Sequence, residues 1–134
     1  MATYNKFTDF ANQLLSGTHE LGASSDVVKV YLASATPSAD DTTKASVAEI
    51  SAENGYPSGG SDITNVVSAA KLKGTDVVFT ASGGTVGPFR YAVIYNDTAA
   101  SDNLIAWWDY GSAVTLQDGE TFTVDFGSSI LSIA

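Results

Sequence analysis

Phe89-Arg90-Tyr91-Ala92-Val93-Ile94-Tyr95 and, nine residues on, Leu104-Ile105-Ala106-Trp107-Trp108-Asp109-Tyr110 are the stretches that decide the fold class. Both are dense in aromatic, β-branched and other apolar residues, which fit a pleated, half-buried surface. Each is short and bounded by turn formers: Ser82-Gly83-Gly84 before the first, Asn96-Asp97 and Ser101-Asp102-Asn103 between the two. They read as β-strands. Successive side chains of a strand point to opposite faces, so Trp107 and Trp108 are expected on opposite sides of one sheet.

Further strands are expected on either side. Residues 76–81 precede the first aromatic stretch; residues 113–116 and 121–126 follow the second, with Asp118-Gly119 as a tight hairpin turn between them. Residues 130–133 would close the sheet, and residues 63–72 read as a strand of weak alternation ended by Gly74. The N-terminal part holds one clear strand, residues 27–33, between Asp26 and Ser34-Ala35-Thr36-Pro37. No helical segments alternate with the later strands, which disfavours a parallel βαβ fold. The expectation is a mainly β chain, an antiparallel β-sandwich or jelly-roll-like barrel with a short N-terminal helix. Phe7, Phe10, Ala11, Leu14 and Leu15 supply the stripe of that helix, with Thr3 or Asn5 to start it and Gly17 to end it.

Residues 38–60 are polar and irregular, with a short helix expected over 44–50 and turns at Asn54-Gly55 and Gly59-Gly60. The chain reads as a single domain, 1–134: a helix, one strand and an irregular arm over 1–60, and the antiparallel β core over 61–134. The helix stripe and the arm look free for partners.

Of 134 residues, 44% are hydrophobic and only 16% charged, below the usual quarter. That balance suits sheets joined by tight turns and a surface partly covered by other proteins. The formal charge is -9, from 15 acidic and 6 basic residues. Direct binding to nucleic acid is not expected on that ground, because phosphate contacts need Lys and Arg. No Lys or Arg follows Arg90, whereas Asp97, Asp102, Asp109, Asp118, Glu120 and Asp125 do. This acidic third suits a basic partner, or simply keeps copies soluble and apart. With no cysteine there is no disulfide framework and no thiolate metal site. The N-terminus lacks a basic segment followed by a long apolar run, so no signal peptide, no membrane association and synthesis in a cytoplasm are expected.

Signals for chemistry are weak. The single histidine, His19, has no second histidine beside it and is expected exposed at a helix end. No Gly-x-Ser-x-Gly nucleophile turn occurs. Asp40-Asp41 and the pair Asp97 and Asp102 lack the spacing of a calcium loop and suit turn capping. Gly83-Gly84-Thr85-Val86-Gly87 lacks the Lys-Ser/Thr of a phosphate loop. No catalytic residue, cofactor or metal is therefore expected. Trp107-Trp108 with Tyr91, Tyr95 and Tyr110 suits either a sugar-stacking platform or core and interface anchors.

Several longer runs carry a resemblance: Asp76-Val77-Val78-Phe79-Thr80-Ala81, Gly87-Pro88-Phe89 through Asn96-Asp97, Leu104 through Gly111, and Leu116-Gln117-Asp118-Gly119-Glu120-Thr121-Phe122-Thr123-Val124-Asp125-Phe126. Tyr4-Asn5-Lys6-Phe7 and the stretch from Asn54-Gly55-Tyr56 to Gly59-Gly60 extend it along most of the chain. Together they resemble small virion structural proteins of tailed bacteriophages, most of all capsid decoration (cement) proteins. The resemblance implies a structural protein on the outer capsid surface, bound to the major capsid protein and to itself as a dimer or trimer. A tail or fibre component that binds a host glycan through an exposed tryptophan is the alternative. Contacts are expected from Phe7, Phe10 and Leu14 on the helix, Tyr56 and Pro57 in the arm, and Trp108.

Overall fold

The computed structural model describes residues 3–22 and 26–132. The first aromatic stretch lies in β7 (Val86–Asn96) and the second opens β8 (Leu104–Leu116), the longest strands of the molecule. They pair with each other, and β7 also pairs with β2 (Val28–Ala33). β1 (Thr3–Lys6) lies on the far edge of β8, and β3 (Ser61–Asp62) on the far edge of β2. The result is a five-stranded antiparallel sheet in the order β1-β8-β7-β2-β3. Both N-terminal strands belong to it, so the β core does not begin at Ser61.

This sheet is buried on both faces, which is why β7 is buried without a break from Tyr91 to Asn96. Val28, Val30, Leu32, Ala92 and Ile94 pack into one cluster; Tyr31, Ala33, Tyr91, Val93, Tyr95 and Trp107 pack into another on the opposite side. A bulge interrupts the alternation: Ile94 pairs with Ala106 and Tyr95 with Leu104, which leaves Ile105 extra. Ile105 and Ala106 consequently join the same cluster. Trp107 and Trp108 separate as expected, Trp107 into the second cluster and Trp108 against the first.

Small elements cover the first face. β6 (Val77–Thr80) pairs with β9 (Thr121–Val124). β5 (Lys71–Lys73) pairs with β4 (Val66–Ser68) and with β10 (Leu131–Ser132). α1 (Phe10–Leu15) contributes Phe10 to the same core, as these strands contribute Leu72, Val77, Phe79 and Val124. The second face is covered by the arm, whose Val47 packs there with Phe7 and accepts a hydrogen bond from the Tyr31 hydroxyl, 2.8 Å. Burial of each large side chain contributes roughly 1.5–3 kcal/mol.

Four expectations need correction. The helix does not begin near Phe7: Thr3–Lys6 is an edge strand, with Tyr4 opposite Trp108, because β8 offers that segment a ladder of backbone partners. The six residues of α1 are too few to stand alone, so tertiary packing holds them. Over 44–50 only Lys44–Ser46 coils, as one 3-10 turn; Ile50 then donates its N–H to the Leu32 carbonyl, 3.1 Å, so the arm follows the edge of β2. The strand expected over 63–72 folds back on itself at Ala69 and Ala70, both with positive φ, to make the β4–β5 hairpin. Finally, the turn at Asp118-Gly119 does not pair β8 with β9. It carries the chain from the large sheet to β6, where Phe122 and Val124 meet Phe79 and Val77. Of the closing strand, Ile133 lies outside the described residues.

Candidate functional site

An aromatic groove lies between β7, β8 and β9, with a cavity of about 170 Å³. Its walls include Trp108, Tyr110, Phe122 and Phe89. Strand alternation places Trp108 and Tyr110 on the same side of β8. Phe122 lies edge-on to both Phe89 and Tyr110, with centroids 4.9 and 5.4 Å apart. Trp108 is flanked by Tyr4 and Phe126, each at 5.5 Å. Tyr110 remains 46% exposed, so the aromatic wall opens to solvent.

One charged pair is fixed beside the groove. Arg90 donates from Nε to Asp109 Oδ1 at 2.8 Å and from Nη2 to Oδ2 at 3.1 Å. The Gly111 N–H also donates to Asp109 Oδ1, at 2.8 Å. The Arg90 hydrogen bonds, with help from Gly111, hold the Asp109 carboxyl below its usual range. Arg90 and Asp125 line the groove itself.

Comparisons with family models, curated proteins and solved structures find no match for this chain.

A second groove, of about 140 Å³, lies between α1 and the β4–β5–β10 sheet. Phe10, Leu14, Leu21, Val67, Leu72 and Leu131 line it, with Lys71. Val67 on its wall is 49% exposed, and Leu15, the residue after Leu14 in α1, is 87% exposed. The two grooves share no lining residue.

The expected contact residues divide sharply. Phe7, Phe10 and Tyr56 are buried inside the monomer and serve the core. Phe7 packs its ring 4.5 Å from Trp107, and Phe10 lies 5.1 Å from the His19 ring. Tyr56 spans from core to arm: its hydroxyl donates to Glu49 Oε2 at 2.7 Å and accepts the Leu32 N–H at 3.0 Å. Pro57 is exposed. Leu14 and Trp108 are half-buried, one in each groove. The expected stripe holds only in part: Phe10 is buried and Leu14 half-buried, Ala11 and Leu15 are exposed, and Phe7 is buried but lies before the helix.

His19 is not exposed: only 5% of it reaches solvent. Its Nε2–H donates to Gln13 Oε1 at 2.8 Å, and its Nδ1 accepts from Asn96 Nδ2 at 3.0 Å. Asn96 Nδ2 also donates to Asp26 Oδ2, at 2.7 Å, while Asn96 Oδ1 accepts from the N–H groups of Thr98 and Ala99. These contacts fix a neutral imidazole. Burial lowers its pKa, opposed by the Asp26 carboxylate. No local sequence pattern joins residues 13, 19, 26 and 96, so the cluster was invisible before folding.

The acidic side chains mostly close turns or ion pairs. Asp118 accepts the Gly83 N–H, Asp41 the Ser38 N–H and Asp125 the Gly127 N–H. Asp97 pairs with Lys29 at 3.3 Å. Among the described residues, no three His, Cys, Asp or Glu side chains gather in a way that could hold a metal ion. No described helix is long and apolar enough to cross a membrane.

Proposed function

We propose that this chain is a non-enzymatic bacteriophage virion protein, a decoration protein that binds the major capsid protein and itself on the outer surface of the head. The observation that carries the reading is the open apolar groove beside α1. Leu14, Val67, Leu72 and Leu131 form its walls, and Leu15, which follows Leu14 in α1, projects into solvent. Such a groove offers another protein apolar area to bury. The resemblance of the runs between Asp76 and Phe126 supplies the setting. A sandwich-like body, with sheet packed on sheet, would suit a part that must persist outside the cell. Weak contacts of this size gain strength when many copies bind one lattice.

The test is co-sedimentation with particles made in the host that carries the gene. Wild-type chain travels with full heads. Leu15→Asp and Val67→Asp, both at exposed positions, keep the thermal unfolding midpoint and lose that association. If both variants remain on the particle at wild-type occupancy, the groove is not the docking face. If wild-type chain never travels with heads, the decoration reading fails.

A further inference from the structure

We propose that His19 is a proton-operated latch: neutral, it ties α1 and the turn after it to the end of β7; protonated, it lets that segment open as a local unit. Phe10 and Leu14 of the segment line the second groove, so the latch governs one wall of it. The latch rests on the residues around His19; its bearing on docking rests on the decoration reading.

A chain of side-chain hydrogen bonds fixes which protons His19 carries. Asp9 Oδ2 accepts from Gln13 Nε2 at 2.9 Å, which turns Gln13 Oε1 toward the imidazole. The ring therefore donates from Nε2, at 2.8 Å. On its other side Asn96 Nδ2 donates to Asp26 Oδ2 at 2.7 Å and to His19 Nδ1 at 3.0 Å. Asn96 Oδ1 accepts the Thr98 and Ala99 N–H groups at 3.0 and 3.1 Å. The Asn96 amide cannot turn over without losing its bonds to Asp26, Thr98 and Ala99. A proton on Nδ1 would set N–H against N–H where only 5% of the residue reaches solvent.

The charged groups nearby do not offer the ring a ready acceptor. Asp9 and Asp26 accept from the Gln13 and Asn96 amides, and Asp26 Oδ2 also takes the Glu20 N–H at 2.8 Å. Asp97, beside Asn96, is paired with Lys29. Lys71 lines the groove with Phe10. Burial lowers the His19 pKa and outweighs the attraction of Asp26.

The response is local because the segment is weakly built and bounded at both ends. The six residues of α1 do not hold themselves. Phe10 packs into the core 5.1 Å from the His19 ring, and Gln13 is tied to that ring, so displacing His19 loosens both. Before the segment, Phe7 is fully buried and its N–H donates to the Ile105 carbonyl, 3.2 Å. After it, Asn65 Nδ2 clamps the Leu21 and Asp26 carbonyls at 2.7 and 3.0 Å.

The experiment uses the full chain in solution. His19 is its only histidine, so one ring C–H resonance reports the titration without assignment. Amide hydrogen exchange is followed in parallel at Gln13, Ser16 and Thr18, whose N–H groups bond to Asp9, Asn12 and Gln13 carbonyls in the closed segment. The histidine midpoint lies below the ordinary value of about 6.5. Protection at the three amides is lower than at Val93 and Ile94 of β7 and falls about three- to tenfold from about pH 7.5 to about pH 5.5, because an open form with the ordinary pKa is then about nine-tenths protonated. The fall is confined to the window between about 6.5 and the observed midpoint. His19→Gln, whose amide offers one donor and one acceptor without titrating, shows no such fall. A midpoint at or above about 6.5 overturns the proposal. So does protection at the three amides equal to that of Val93 and Ile94, a fall outside the window, or one that persists in His19→Gln. The wild-type measurements decide alone if that variant does not fold. Co-sedimentation with heads at the same two pH values separates the two readings: if the segment opens and binding does not change, the latch stands and the docking role of the groove fails.

Discussion

The arm over residues 38–60 and the β4–β5 hairpin exchange the roles their sequences suggest. The arm has almost no regular structure, yet buried side chains pin it from both sides. Tyr31 donates to the Val47 carbonyl and Tyr95 to the Gly59 carbonyl, each at 2.8 Å. Glu49 accepts from Tyr56 and from the Gly59 N–H, each at 2.7 Å, and pairs with Lys44 at 3.2 Å. Lys44 also lies over the Tyr31 ring, 4.9 Å from its centroid. The hairpin, by contrast, is regular β-structure, but Val66, Val67 and Ser68 are all exposed and its turn uses two alanines at positive φ. Local stability follows buried contacts and satisfied polar groups, not the regularity of the backbone.

The largest effect is expected at Gly60 in the arm. Its φ is +76°, and an added Cβ would overlap the Val30 carbonyl of β2. Gly60→Ala combines strain with a backbone clash, and a loss of about 3–5 kcal/mol is expected in chemical denaturation. A loss below about 1 kcal/mol would mean the arm is not clamped to the sheet. Tyr56→Phe comes next. It removes a buried hydroxyl that serves both Leu32 and Glu49, and the expected cost is about 2–3 kcal/mol. Glu49→Gln in the same background then costs less than it does alone, since the two residues share one network.

A pH titration probes the polar cluster around His19. The folded pKa lies below the ordinary value, so the unfolded chain takes up the proton first. Stability from this group is full above about pH 6.5 and is lost as pH falls below that value. Protonated Nδ1 would also face the Asn96 amide donor, which Thr98, Ala99 and Asp26 keep from flipping. Thermal unfolding between about pH 7 and pH 5 therefore shows a steeper decline for wild type than for His19→Gln. Equal slopes would contradict a buried, neutral His19. The smallest effect belongs to the hairpin. Ala69→Asn with Ala70→Gly relieves two left-handed alanines and stabilises by about 1 kcal/mol.

The strongest parts of the fold were legible in the sequence because they are local. The apolar density of residues 89–95 and 104–110 marks β7 and β8, and Asn54-Gly55 marks a turn that does place both residues at positive φ. The pairing of β9 with β6 was not legible, because the nearest neighbour in sequence, the end of β8, is already paired to β7 at Val86 and Phe89. Ala69-Ala70 carries no turn chemistry, so the break in residues 63–72 left no local mark. Of the candidate site, Trp108 could be read from strand alternation. Phe122 and Arg90 could not, since they reach the groove only through tertiary structure. The burial of Tyr56 depends on contacts to Leu32, Glu49 and Phe79 that sequence spacing does not encode.

The most direct test of the central claim is a reconstruction by electron cryomicroscopy of the particle made where this gene is expressed. The account predicts density for this chain on the outer head surface, with Leu14, Leu15 and Val67 against a capsid subunit or a neighbouring copy. Density confined to the tail, or particles that lack the chain altogether, would contradict it.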